Sequence, residues 1–143
     1  MSELLDNRDL SLVATGHPVI DNQAPLCTTG QVELKATAGG ARRLVIPLTL
    51  EEPAKSTDGR ELTPGFHTTV GFLVDPSGGW TMERANESLV KFQMAVLGLT
   101  KGQPINLADP ATFQAFQGKK VRPQFQPQRN DPTRQEVKGW LKA

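Results

Sequence analysis

Residues 81–99 read TMERANESLVKFQMAVLGL, and in this stretch the apolar pattern of the chain changes from a two-residue to a 3.6-residue period. Met82, Ala85, Leu89, Phe92, Val96 and Leu99 recur at helical spacing and make one apolar stripe. Thr81 is placed to cap the first turn, and Glu83 and Glu87 follow where the positive end of the helix dipole favours carboxylates. Gly98 or Gly102 can end the helix in a left-handed conformation. A stripe of this kind has to be buried, so the helix must lie against an apolar surface supplied by the rest of the chain.

Upstream the period is two. Val32, Leu34 and Ala36 alternate with Glu33, Lys35 and Thr37, and the turn Ala38-Gly39-Gly40 leads into Arg42 to Leu50. There Leu44, Ile46, Leu48 and Leu50 share one face, with Arg43, Val45, Pro47 and Thr49 on the other. Pro47 has no N–H for a ladder, which predicts a sheet edge or a bulge at that point. Residues 51–65 hold no period and contain Pro53, Asp58-Gly59 and Pro64-Gly65, the marks of a long mobile loop or an extended hairpin tip. A third strand follows, with Phe66, Thr68, Val70, Phe72 and Val74 on one face. Residues 1–28 read as a partly ordered N-terminal arm that adds an edge strand or lies across the sheet, leaving residues 29–143 as the domain.

Downstream, Asp109-Pro110 is a cap followed by proline at the first helical position, and predicts a short second helix carrying Phe113 and Phe116. Two alternating runs, Lys119 to Gln128 and Thr133 to Lys142, flank Arg129-Asn130-Asp131-Pro132 and predict a C-terminal hairpin. Three strands, a helical segment and two strands make the element order of the OB-fold, a mainly β, five-stranded Greek-key barrel with a helix between the third and fourth strands. A five-stranded sheet with a helix on one face has the same order, and closure separates the two.

A chain of 143 residues suits one domain with its own core. With 37% hydrophobic and 22% charged residues it has the composition of an ordinary soluble protein, and thirteen Gly and eleven Pro favour short strands and turns. Cys27 is the one cysteine, so no intramolecular disulfide forms and a reducing, cytoplasmic setting is expected. The first residues lack a signal-peptide pattern, and no apolar run is long enough to span a membrane. His17 and His67 lie far apart, neither stands at metal-ligand spacing to Cys27, and no phosphate loop, nucleophile elbow or dinucleotide fingerprint is present. A binding protein is therefore expected rather than an enzyme, with no cofactor and no metal. The acidic residues Asp6, Asp9, Glu51, Glu52 and Asp58 are read as solvated.

Charge is the informative quantity. The net charge of +1 hides a polarised chain: residues 118–143 hold seven Lys/Arg against two Asp/Glu, and residues 1–117 hold nine against thirteen. Cations interleaved with aromatics suit single-stranded nucleic acid, because phosphates need neutralising and unpaired bases need flat apolar partners. The candidate contacts are Lys119, Lys120, Arg122, Arg129, Arg134, Lys138 and Lys142, joined by Arg42 and Arg43 from the neighbouring strand. Strict alternation on the last strand puts Val137, Gly139 and Leu141 inside, leaving Trp140 outside between Lys138 and Lys142 as a stacking platform. The bland alternative for Trp140 is packing against the N-terminal arm. Phe72, Phe92, Phe113 and Phe116 are expected in the core, and Phe125 in the core with base stacking as its alternative. Trp80 reads as a hydrophobic staple at the helix start, and Lys55 and Arg60 as solvated loop charges with a clamp on the bound strand as their alternative.

From about Ala24 onward the chain resembles the small phage single-stranded DNA-binding proteins built on an OB-fold. The resemblance rests on Pro25 followed by Gly30, the strand–loop–strand of residues 41–75, and Asn86-Glu87-Ser88-Leu89 in the helix. It continues in Phe116-Gln117-Gly118-Lys119-Lys120-Val121 and in Arg134-Gln135-Glu136-Val137-Lys138-Gly139-Trp140. It implies a protein that coats single-stranded DNA with little sequence preference during phage replication or recombination, with DNA, replication or recombination proteins and further copies of itself as partners. The chain departs from many such proteins in ending Lys138-Gly-Trp-Leu-Lys-Ala143 where they carry an acidic tail, so recruitment through a tail is not expected. The reading of another class is a structural or adaptor barrel of a phage or protein complex, in which the basic hairpin meets an acidic protein surface. An RNA-binding or duplex-binding barrel is the third.

Overall fold

In the computed structural model, which describes residues 18–143, the helix read from residues 81–99 runs over Met82–Leu97 as α1. Thr81 caps it by accepting the Arg84 N–H at 3.1 Å, and Gly98 ends it in the left-handed region at φ 69°. Ala85, Leu89, Phe92, Ala95 and Val96 are buried, whereas Met82 in the first turn stays exposed and Leu99, beyond the cap, is half-buried. A second helix, α2, spans Pro110–Gln114, with the Asp109 carboxylate accepting the Ala111 N–H.

The strands are β1 (Cys27–Thr29), β2 (Glu33–Ala36), β3 (Arg42–Leu50), β4 (Ala54–Lys55), β5 (Glu61–Leu62), β6 (His67–Leu73), β7 (Lys120–Pro127) and β8 (Gln135–Lys142). β4 and β5 make a small hairpin of their own, and the other six form one antiparallel sheet. β6 occupies one edge of β3 from Arg43 to Thr49, so β1 and β2 must share the other edge end to end, β1 against Leu48–Leu50 and β2 against Arg42–Val45. They behave as one strand broken at Gly30-Gln31-Val32. Gly30 donates its N–H to the Pro47 carbonyl at 2.8 Å, and a side chain at position 30 would press on the Pro47 ring, 3.1 Å away. Because N–H and C=O of a strand residue point to the same side, the N–H that Pro47 lacks falls at this break. The proline thus sits in a central strand, and the irregularity lies in the neighbour it faces.

The sheet reads β6, β3, β1 with β2, β7, β8, and among the described residues no ladder joins β6 to β8. The closed five-stranded barrel expected from element order is therefore not formed by the ladders: the sheet is open along one seam. α1 packs against β8, β6 and β7. Leu44, Ile46, Leu48, Leu50, Val70, Val121 and Phe125 supply the buried face of the sheet, and Phe92 and Phe116 fill the space above it. Phe92 meets Phe116 at 4.9 Å, Trp140 at 4.7 Å and Phe72 at 6.2 Å between ring centroids. Phe116 and Phe125 are buried as read from sequence, while Phe72 and Phe113 are half-buried against the same core.

Of the two forms open to residues 51–65, the hairpin is the one adopted. Ala54 and Leu62 are buried in the core beside Ile20, and the tip is tied by Asp58, which accepts from Ser56 and pairs with Arg60 at 2.8 Å. Residues 18–26 run alongside: Ile20 bridges to Ser56, and Gln23 to Phe125. The rest of the N-terminal arm, residues 1–17, lies outside the described residues.

The C-terminal hairpin forms where expected, but strict alternation in β8 does not hold. Gln124 pairs with Gly139 and Phe125 with Val137, which leaves Lys138 as an extra residue in a bulge. One inserted residue reverses the facing of every side chain beyond it. Val137 and Trp140 both pack on the core, and Leu141, expected inside, is 44% exposed.

Candidate functional site

Ten residues were read from sequence as contacts, and the structure divides the nine cations among them. Arg42 forms a two-pronged pair with Asp75, both contacts at 2.8 Å. Arg122 grips Glu52 at 2.7 and 3.0 Å and also donates to the Ala24 carbonyl. Lys120 pairs with Glu51 at 3.2 Å and donates to Thr28, and Arg134 pairs with Asp131 at 3.4 Å. The acidic end of β3, Glu51-Glu52, lies across the sheet from β7, so the charge that looked concentrated in sequence is partly neutralised in space. Arg43, Lys119, Arg129, Lys138 and Lys142 make no ion pair among the described residues. Lys55 and Arg60, read as solvated, pair within the β4–β5 hairpin with Glu61 and Asp58.

These pairs hold their carboxylates well below the ordinary range. The Arg122 guanidinium, with the Leu26 N–H, brings Glu52 from 4.5 to about 2, and Arg42 brings Asp75 from 3.8 to about 2. A depressed folded-state value contributes stability that is present above the ordinary value and lost as pH falls through the folded one. Thermal unfolding is therefore expected to show a Tm that declines from about pH 4.5 towards pH 2. In Glu52→Gln the decline should be shallower, and a Glu52→Gln curve parallel to the parent would mean that this pair contributes nothing to the acid limb.

The open seam is where unpaired cations and aromatics meet. Between β6 and β8, under α1, lies a groove of about 550 Å³ lined by Arg43, Gly71, Phe72, Trp80, Arg84, Lys138 and Trp140, together with Glu136, several glutamines and Lys91, which pairs with Glu87 at 3.6 Å. Each wall has a local cause. The bulge at Lys138 turns Trp140 inward, where its ring meets Phe92 edge-on. Trp80 is fixed by its indole N–H, which donates to the Leu73 carbonyl at 3.0 Å at the end of β6. Arg43 lies across Gly71: a Cβ there would stand 3.0 Å from the guanidinium Nε and would press into the Leu44 carbonyl oxygen. Arg43 is half-buried, and desolvation, with repulsion from Arg134, lowers its pKa from the ordinary arginine value.

Of the ten residues read from sequence, the groove brings together Arg43, Lys138 and Trp140. Lys119, Arg129 and Lys142 are exposed outside it, and the four paired cations do not line it. Sequence reasoning missed Trp80, taken for a staple, and Arg84 and Lys91. Arg84, Ser88 and Lys91 recur at i, i+4 and i+7, a polar stripe beside the buried one, but nothing in the sequence says that this stripe overlooks Trp140.

Cys27 is fully buried, and its thiol is pushed up to about 12, by burial first and then by Glu51 and Glu52. Among the described residues no group of three or more His, Cys, Asp and Glu could hold a metal ion, and no helix is long and apolar enough to cross a membrane. Compared with known protein families and curated proteins, the chain matches no family model and no curated sequence.

Proposed function

We propose that this chain is a single-stranded DNA-binding domain of low sequence preference, acting in phage DNA replication or recombination, with the seam groove as its principal contact. The observation that carries the proposal is the coincidence, in one groove, of two tryptophans with Arg43, Arg84 and Lys138, none of which has a carboxylate partner among the described residues. A half-buried guanidinium without a counter-ion is costly unless an anion completes it. Trp140 and Trp80 beside it offer base-sized apolar surface, worth about 1–3 kcal/mol for each stacked base. The strand arrangement supports an OB-fold-like reading, with β1 and β2 counted as one position and α1 following the third of five, open between the third and fifth. The domain acts by binding and not by catalysis.

The test is fluorescence anisotropy of a labelled thirty-nucleotide single strand titrated with protein at several salt concentrations, with duplex DNA and single-stranded RNA as competitors. Preferential single-strand binding that weakens steeply with salt is expected. Failure to bind at low salt would end the nucleic-acid reading. The adaptor reading is favoured by a different observation: Lys120 and Arg122, at the start of β7, already engage carboxylates of this chain, while among the described residues no ladder covers the β6 and β8 edges at the seam. Oligomers forming without DNA, with no oligonucleotide affinity, would establish that alternative.

A further inference from the structure

We infer that the groove is a seat for about one or two nucleotides, gripping a phosphate with Arg43 and Lys138 and a base against Trp140, so that short strands are its natural ligands. The inference rests on the nucleic-acid reading above and sharpens it from a surface that follows a long backbone to a site that grips a short segment.

Three observations carry it. At about 550 Å³ the groove falls within the roughly 300–1,000 Å³ of sites that enclose most of one small ligand, and it is walled by β6, β8 and α1. Lys119, Arg129 and Lys142, which make no ion pair among the described residues, do not line it, and on β7 Lys120 and Arg122 are already occupied by Glu51 and Glu52. The third observation is the construction around Arg43. A glycine inside a strand is unfavourable, and Gly71 is needed because any side chain would strike the Leu44 carbonyl and the Arg43 guanidinium. The strand is thus built to let a guanidinium lie over it at the groove. A half-buried guanidinium with no carboxylate partner among the described residues is suited to a phosphate.

The test is displacement of the labelled thirty-mer by unlabelled competitors: the 5′-phosphorylated dinucleotide pTpT, tetrathymidylate and inorganic phosphate. Tetrathymidylate should displace the probe, pTpT should do so within about ten-fold of the same concentration, and phosphate alone should be far weaker, since stacking is missing. Arg43→Gln should raise both oligonucleotide concentrations about ten-fold or more, as befits a lost charged hydrogen bond. If Arg43→Gln unfolds, the exposed Lys138→Gln, expected to raise them about three-fold, replaces it. A thirty-mer that binds but resists tetrathymidylate at millimolar concentration overturns the seat and leaves the proposed function standing. A protein that does not bind the thirty-mer at low salt overturns the seat together with the proposed function. Inorganic phosphate competing as well as pTpT overturns the base contact.

Discussion

Phe92→Ala is expected to destabilise the protein by about 3–5 kcal/mol, the range for emptying a fully buried phenylalanine site. Phe92 is 0% exposed and is the ring through which three others meet: Phe116 from beyond α2, Phe72 from β6 and Trp140 from β8. Removing it takes away the transfer energy of the side chain and leaves a cavity that these rings, each fixed to a different element, are poorly placed to close. Urea titration followed by far-ultraviolet dichroism measures the loss. The same substitution should release Trp140, so its fluorescence should shift towards that of a solvated indole even under conditions where the protein stays folded. A loss below about 1 kcal/mol would mean that α1 is held to the sheet by contacts other than this aromatic cluster.

The second large effect is on binding. For single strands each neutralised phosphate adds about 0.7 to the slope of log affinity against log salt. Arg43→Gln combined with Lys138→Gln, which removes the grip on one phosphate, should flatten that slope by about 0.7 and lower affinity at low salt by an order of magnitude or more. The matched control is Lys120→Gln with Arg122→Gln, which should move the slope by less than about 0.5, because Glu51 and Glu52 already occupy those cations. A larger loss from the control pair would move the phosphate track to β7 and set the groove aside. Glutamine is the right replacement. Reversing Lys119, Lys120 and Arg122 to glutamate would set new carboxylates against Glu51 and Glu52 and confound lost binding with lost stability.

The bulge in β8 shows where local pattern stops being sufficient. Residues 135–142 alternate well enough to be read as a strand, and they are one. Alternation assigns a face only if the ladder advances one residue for one, and at Lys138 it does not. The extra residue carries Trp140 from the expected outer surface to the groove wall, and Leu141 from the expected interior to solvent. Pro47 is the opposite case: the sequence marks an irregularity at that position, and Gly30 across the ladder supplies it. Within the basic hairpin, sequence shows seven cations and cannot show that Glu51 and Glu52, some seventy positions away, reach two of them.

What the sequence by itself determined were the quantities that depend on neighbours along the chain: α1 with its Thr81 and Gly98 caps, the cap and proline that start α2, the long strands β3 and β6, and the C-terminal hairpin. Those follow from periodicity, caps and turn residues, whose energies act over one or two turns of backbone. What only the tertiary structure decided were the open seam between β6 and β8, the inward facing of Trp140, and the division of cations into paired and free. Each is set by register and by contacts between residues far apart in sequence, and a change of one residue in a ladder is invisible to local pattern yet moves a side chain from one face of the sheet to the other.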